Sequence, residues 1–177
     1  MKKLSNINES AWGDMMRRGS GEIIRKEDVI VSNIKELKPV DMGTSVLWAD
    51  RDLESDENVY FSFLDANKII EKSEWRLPTF NEMLELNKTT AIYKNTIEEY
   101  KLHYYNTTHN DLIFKKCGYQ YADDNDRLHD YGTYYAWTSD VSQSGHEAYQ
   151  AIRIGRYLSS TPMHYANRCC VRLVKDK

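Results

Sequence analysis

The chain has 177 residues, 41% of them hydrophobic and 29% charged, with a formal charge of −3 at pH 7. That is enough core-forming material for one ordinary domain plus a short extension. Its charge gives no electrostatic case for nucleic acid, whose phosphates require a basic stripe. No apolar run approaches the roughly 20 residues that span a bilayer, so membrane insertion is not expected. Residues 1–38 hold eight Lys/Arg against six Asp/Glu, a balance of +2, which leaves −5 for the remainder. Lys2 and Lys3 are followed by polar sequence with no apolar h-region. No signal peptide is expected, and assembly is expected in a cytoplasm. Cys117, Cys169 and Cys170 are odd in number, and two of them are adjacent. Neither a disulfide framework nor a structural metal is expected from them.

In chain order, residues 8–18 read as a short helix. Asn8 or Ser10 can cap it, and Trp12, Met15 and Met16 form an apolar stripe at i, i+3, i+4. Arg17 and Arg18 would favour the dipole in its last turn, and Gly19 supplies the position beyond it. Residues 22–38 read as a connector with possible short strands around Ile23, Ile24 and Val29 to Val31, closed by Pro39. Val46 to Ala49 is a short apolar strand after a turn at Gly43, and 50–58 is a charged loop. Tyr60 to Phe63 is strand-like, and Asp65 would cap a helix through Lys72 with Ala66, Ile69 and Ile70 on one face. Thr79 and Glu82 form a capping box after Pro78. The helix they open should run to about Lys88 and bury Phe80, Met83, Leu84 and Leu86.

Residues 89–111 are polar and rich in Tyr and Thr, and are expected to be loop with short irregular strands. Strands follow at Leu112 to Tyr121, Tyr134 to Ser139, Ala148 to Ile154 and Cys169 to Val174. Turns at Asp123 to Asp126 and Gln143 to Gly145 divide them. Two helices followed by antiparallel strands make an α+β pattern.

Five segments carry a family resemblance. They are Val40 to Ala49 (VDMGTSVLWA), Trp75 to Thr79 (WRLPT), Cys117 to Tyr119, Gly132 to Ser139 (GTYYAWTS) and Val171 to Val174 (VRLV). Across 40–175 they resemble, in order and spacing, the major paralogous domain family of Bacteroidetes and phages. That resemblance implies a C-type-lectin-like fold, with two helices packed on short antiparallel sheets and the first and last strands paired. It also implies Trp48 and Trp137 as the large core residues, and Arg76 as a donor to buried carbonyls. Asn8 to Gly21, with Ile24 to Asp28, resembles a leader on virion proteins of crAss-like tailed phages that infect Bacteroides-like hosts. Such a leader implies a helical or extended attachment segment over residues 1–38, ahead of a lectin-like domain over 39–177.

The chemistry points to binding rather than catalysis. Asp123, Asp124 and Asp126 could ligate calcium, but the EF-hand frame and the paired motifs of calcium-dependent lectins are absent. A solvated acidic turn is the better reading. The fold resemblance also touches formylglycine-generating oxidases, which use cysteines. Cys169 and Cys170 should instead point to opposite sides of a strand, one into the core and one to a surface or interface. The five histidines are dispersed. Asp111, Asp130 or Glu147 could each orient one, but no nucleophile has a recognisable setting. Twelve of the thirteen tyrosines lie between residues 93 and 165. Tyrosine offers amphipathic contact area at low entropic cost. Tyr119, Tyr134 and Tyr135 belong to motifs and are assigned to structure, while Tyr100, Tyr104, Tyr105, Tyr157 and Tyr165 are the candidate ligand or interface contacts.

The expected function is a phage virion structural protein, a fibre or decoration subunit with no enzyme activity, cofactor or metal. Trp12, Met15, Met16, Arg17 and Arg18 would attach it to capsid or tail proteins or to sister subunits. The head would bind host surface glycan or another fibre protein, in a homotrimer or a dimer. The alternative is a cellular glycan-binding or adhesion protein.

Overall fold

The computed structural model describes residues 15–17, 23–25, 33–54, 60–94, 96, 99–105, 110–122, 127–141, 148–155 and 158–177. Its architecture is α+β: among the described residues, helices of eight and ten residues and a short helical stretch at 33–35 lie among small antiparallel sheets. Strands β1 (Met15–Arg17) and β2 (Ile23–Arg25) form an antiparallel hairpin, with Met16 opposite Ile24. The helix expected over 8–18 is therefore overturned at 15–17. Met15 and Met16 are successive residues of β1 rather than of a helix. A helix of that length does not persist alone, and Met15–Arg17 pairs with Ile23–Arg25 instead. Trp12 and Arg18 lie outside the described residues.

The remainder is organised around a central wall. β3 (Pro39–Asp41) and β15 (Val174–Asp176) flank β4 (Val46–Ala49), with Val174 opposite Trp48. The opening and closing strands of 40–175 are thus paired as expected. Gly43 turns the chain between β3 and β4 at φ +70. A Cβ there would fall 2.4 Å from the Tyr104 ring, which leaves glycine as the residue that fits.

After β5 (Phe61–Ser62), α1 (Phe63–Ile70) is capped by Ser62, whose hydroxyl accepts from the Asp65 N–H. Asp65 was expected as the cap but lies inside the first turn, because Phe63 already has helical partners. α2 (Phe80–Thr89) carries the expected capping box between Thr79 and Glu82 and buries Met83 and Leu86. The polar stretch expected as loop with short irregular strands instead holds two regular strands, β6 (Thr90–Lys94) and β7 (Glu99–Tyr104), in a meander with β8 (Asp111–Lys115), which begins one residue before the strand expected at Leu112. Alternation explains it: Tyr100, Leu102, Leu112 and Phe114 turn inward while Lys101, His103 and Asp111 line the other face.

β9 (Tyr119–Gln120), β10 (Leu128–His129) and β14 (Arg168–Cys169) form a second sheet with β5. β11 (Tyr134–Val141), β12 (Ala148–Ile154) and β13 (Leu158–His164) form a third. β13 was not expected. Its Ser-Ser-Thr-Pro sequence reads as loop, and it is tolerated because the strand lies at a sheet edge.

Two cores lie on either side of β11 and the 169–174 segment. Tyr135, Trp137, Cys169, Val171 and Leu173 enter the first with Phe61, Phe63 and Trp75. Tyr134, Ala136, Cys170 and Val174 enter the second with Trp48, Met83 and Phe114. The bridge between Ala136 and Cys170 holds the two segments together. Trp48 and Trp137 are fully buried, as expected. Cys169 and Cys170 do alternate, but both faces of their strand are covered, so neither thiol reaches the surface. Cys170 is joined to Cys117 across 53 residues, against the expectation of no disulfide. Spacing gave no sign of it because the pairing depends on how Gly118 to Tyr119 packs beside β11.

Candidate functional site

A buried polar network ties the wall together. The Arg172 guanidinium donates from Nε to Asp52 Oδ1 at 2.7 Å, from Nη1 to the Ala49 carbonyl at 3.1 Å and from Nη2 to the Ile113 carbonyl at 2.5 Å. It also lies 4.3 Å over the Phe114 ring. The Tyr134 hydroxyl donates to the same Asp52 oxygen at 2.8 Å. Burial alone would lower the Arg172 pKa, but the Asp52 charge and hydrogen bonds reverse this and raise it. Arg172 thus fills the role expected of Arg76. Arg76 is 39% exposed and forks onto Glu82 at 2.6 and 2.9 Å, with Asp176 at 3.0 Å and one bond to the Leu77 carbonyl. Its carbonyl bonding is minor because the buried Glu82 carboxylate, held at this place by the capping box, supplies a better acceptor. Both arrangements are architectural.

The chemistry open to solvent gathers elsewhere, where β9, β10 and the turn into β11 meet. Gly118 has φ +66, and a Cβ there would sit 2.1 Å from the His129 carbonyl oxygen. This close approach brings the Cys117-Gly118-Tyr119 and Gly132 to Ser139 motifs together, with Gly118 bridged to Tyr134. Tyr119 and His129 are direct cross-strand partners, stacked with centroids 5.7 Å apart and planes 29° apart. Tyr121, two positions on and so on the same face, stands nearly perpendicular to both. Its ring is 5.1 Å from Tyr119 at 79° and 4.6 Å from His129 at 74°. The result is an aromatic corner, and Tyr121 remains 42% exposed. Behind it, Tyr135 packs edge-on against Tyr119 at 5.0 Å.

Asp130 lies beside this corner in a left-handed conformation, φ 51, outside the usual range for a non-glycine residue. The turn holds it there: its carbonyl accepts from the Thr133 N–H, Oδ1 from the Thr133 hydroxyl at 3.1 Å and Oδ2 from the Tyr135 hydroxyl at 2.7 Å. Arg153, opposite Tyr135 on β12, approaches Oδ2 at 3.5 Å. Tyr131 follows in the same turn, 63% exposed. Burial, then the bond to Asp130, pushes the Tyr135 hydroxyl to about 12. Burial and the bond to Tyr121 push Tyr119 well above its ordinary value. Both hydroxyls stay protonated and donate, Tyr119 to the Tyr121 oxygen at 2.9 Å. The corner therefore offers aromatic faces, a carboxylate and a guanidinium in one exposed place.

The tyrosines expected as contacts are not brought together. Tyr100 and Tyr104 pack half-buried on the second core, Tyr100 donating to the Gly132 carbonyl at 3.0 Å. Tyr105 is exposed just beyond β7, Tyr165 packs on the first core beside His164, and Tyr157 lies outside the described residues. Sequence reading missed Tyr121, Tyr131 and Arg153; it weighed His129 and Asp130 as a dispersed histidine and its possible orienting carboxylate and set them aside. The one local signal was Tyr119-x-Tyr121, whose strand spacing places both rings on one face. Of the histidines, His103 does meet Asp111, at 2.6 Å, but the same carboxylate holds Lys101 at 2.5 Å. Burial pushes Asp111 up, and these two partners outweigh it and hold it below the usual range. Among the described residues no group of three His, Cys, Asp or Glu is placed to hold a metal. The Asp123 to Asp126 run lies outside them. Among the described residues no helix is long and apolar enough to cross a membrane. Comparison with protein-family models, curated proteins and solved structures finds no match.

Proposed function

We propose that the chain is a virion structural protein, a fibre or decoration subunit of a tailed phage. Residues 1–38 attach it, and residues 39–177 form a C-type-lectin-like head that binds without catalysis. One observation carries this reading: both borders of 39–177 meet on one sheet, while the exposed aromatic corner is built on another. β3 and β15 both pair with β4, and the Lys177 ammonium reaches Asp41 at 2.9 Å. A domain entered and left at one edge suits display on a tether, with its binding surface free. The resemblance of the leader adds the virion, and a homotrimer or dimer would multiply weak head contacts through avidity.

The test uses the full chain and a variant with Trp12, Met15 and Met16 replaced by Ala. Particles from producing cells are banded on a gradient and probed for the chain. The wild type is expected in the particle band, and the variant in the soluble fraction with unchanged melting. Recovery of the wild type in the cell envelope instead would favour a cellular adhesion protein and overturn the virion reading.

A further inference from the structure

The corner of Tyr119, Tyr121 and His129, flanked by Asp130 and Arg153, points to a calcium-independent subsite for a single pyranose ring of a neutral glycan. This rests on the reading of 39–177 as a binding head and specifies the class of ligand for that surface. The size of the corner decides first. Three rings with centroids 4.6 to 5.7 Å apart span little more than one sugar, whereas a stable protein interface takes about 20–30 residues a side. Its shape is the second argument. Two near-parallel rings with a third at right angles give one surface for the C–H face of a pyranose and another for its edge.

The remaining hydrogen-bond capacity is the third. Tyr121 Oη accepts from Tyr119 and keeps its own proton to donate. Asp130 Oδ1 accepts from the Thr133 hydroxyl, leaving a lone pair for a ligand hydroxyl. Arg153 meets Asp130 through one nitrogen at 3.5 Å, too long for a strong bond, and has further N–H groups to donate. A carboxylate that accepts beside a guanidinium that donates is matched by two vicinal hydroxyls, each of which can do both. The left-handed backbone at Asp130 is consistent with this. Such strain persists where the fold holds it, and it concentrates at ligand sites. A neutral ring is favoured because the carboxylate and guanidinium balance one another.

The experiment is saturation-transfer NMR on the full chain with three probes: methyl α-mannopyranoside, methyl β-galactopyranoside and methyl N-acetyl-β-glucosaminide, each with chelator and with calcium. At least one is expected to receive saturation from tyrosine ring protons, equally in both conditions. Tyr121→Ala, at an exposed position, is expected to weaken binding at least tenfold. Asp130→Asn, which tolerates the left-handed backbone, should do likewise, with some loss of melting temperature because the amide cannot accept from both Thr133 and Tyr135 as the carboxylate does. The inference is overturned if no probe binds at 10 mM, if binding requires calcium, or if both variants bind as the wild type does. Capture of a folded protein that Tyr121→Ala abolishes, without sugar binding, would also overturn it. Recovery of either variant in particles at wild-type level, with sugar binding lost, leaves the virion reading intact and separates the two.

Discussion

The buried Arg172–Asp52 pair makes a prediction about sign as well as size. Both side chains are almost wholly excluded from solvent, and the Asp52 carboxylate accepts from Arg172 and Tyr134 through one oxygen. Arg172→Met keeps much of the volume but strands Asp52 and two carbonyls, Ala49 and Ile113. Breaking a buried pair from one side costs about 3–5 kcal/mol. For a chain of this size that is a fall of about 10 °C in melting temperature. Asp52→Asn in the wild type should also destabilise, because it strands the Arg172 charge. Asp52→Asn placed on Arg172→Met should do the opposite and restore about 1 kcal/mol or more, because it removes the stranded carboxylate. Urea titration of the four proteins, with slopes compared, reads this directly. If Asp52→Asn costs the same in both backgrounds within about 0.5 kcal/mol, the sites are additive and the pair is not coupled as argued.

Acid should act through Arg76 and Glu82. Burial pushes the Glu82 carboxyl up, but hydrogen bonds from Arg76 and Thr79 and the Arg76 charge outweigh it and hold it below its ordinary 4.5. A depressed folded pKa gives stability that is present in full above the ordinary value and lost as pH falls through the folded one. The melting difference between wild type and Glu82→Gln should therefore be constant above about pH 5 and shrink below pH 4.5; a constant difference down to pH 3 would count against it. Gly118→Ala must take a left-handed backbone and meet the His129 carbonyl, so it should lose at least about 2 kcal/mol in denaturant titration. Melting within 1 °C of wild type would refute the close approach. Cys169 is fully buried, and burial pushes its thiol well above the ordinary value. It should resist thiol reagents in the native protein, and one thiol per chain should titrate in denaturant, with Cys117 and Cys170 joined. Three would remove the bond. Melting curves in chelator and in excess calcium should coincide; a large upward shift in calcium would sink the metal-free reading.

What the sequence determined by itself was local. The Thr79/Glu82 box opens α2 because its two bonds close within four residues. Trp48 and Trp137 are buried, as the motif resemblance and their bulk implied. Where a feature needed a partner far along the chain, local pattern was silent or misleading. Trp12, Met15 and Met16 have helical spacing, but Met15–Arg17 pairs instead with Ile23–Arg25. Residues 89–111 read as loop with short irregular strands because outward polar residues such as Lys101, His103 and Asp111 dominate the composition, and the cover over Tyr100 and Leu102 comes from distant parts of the chain. Arg172 stood in the sequence only as part of the closing VRLV motif, and Asp52, Ala49 and Ile113 converge on it from segments 59 to 123 residues away. The aromatic corner is of the same kind. Tyr119, His129, Tyr135 and Arg153 come from four strands, and their common surface exists because tertiary packing at Gly118 brings those strands within reach of one another.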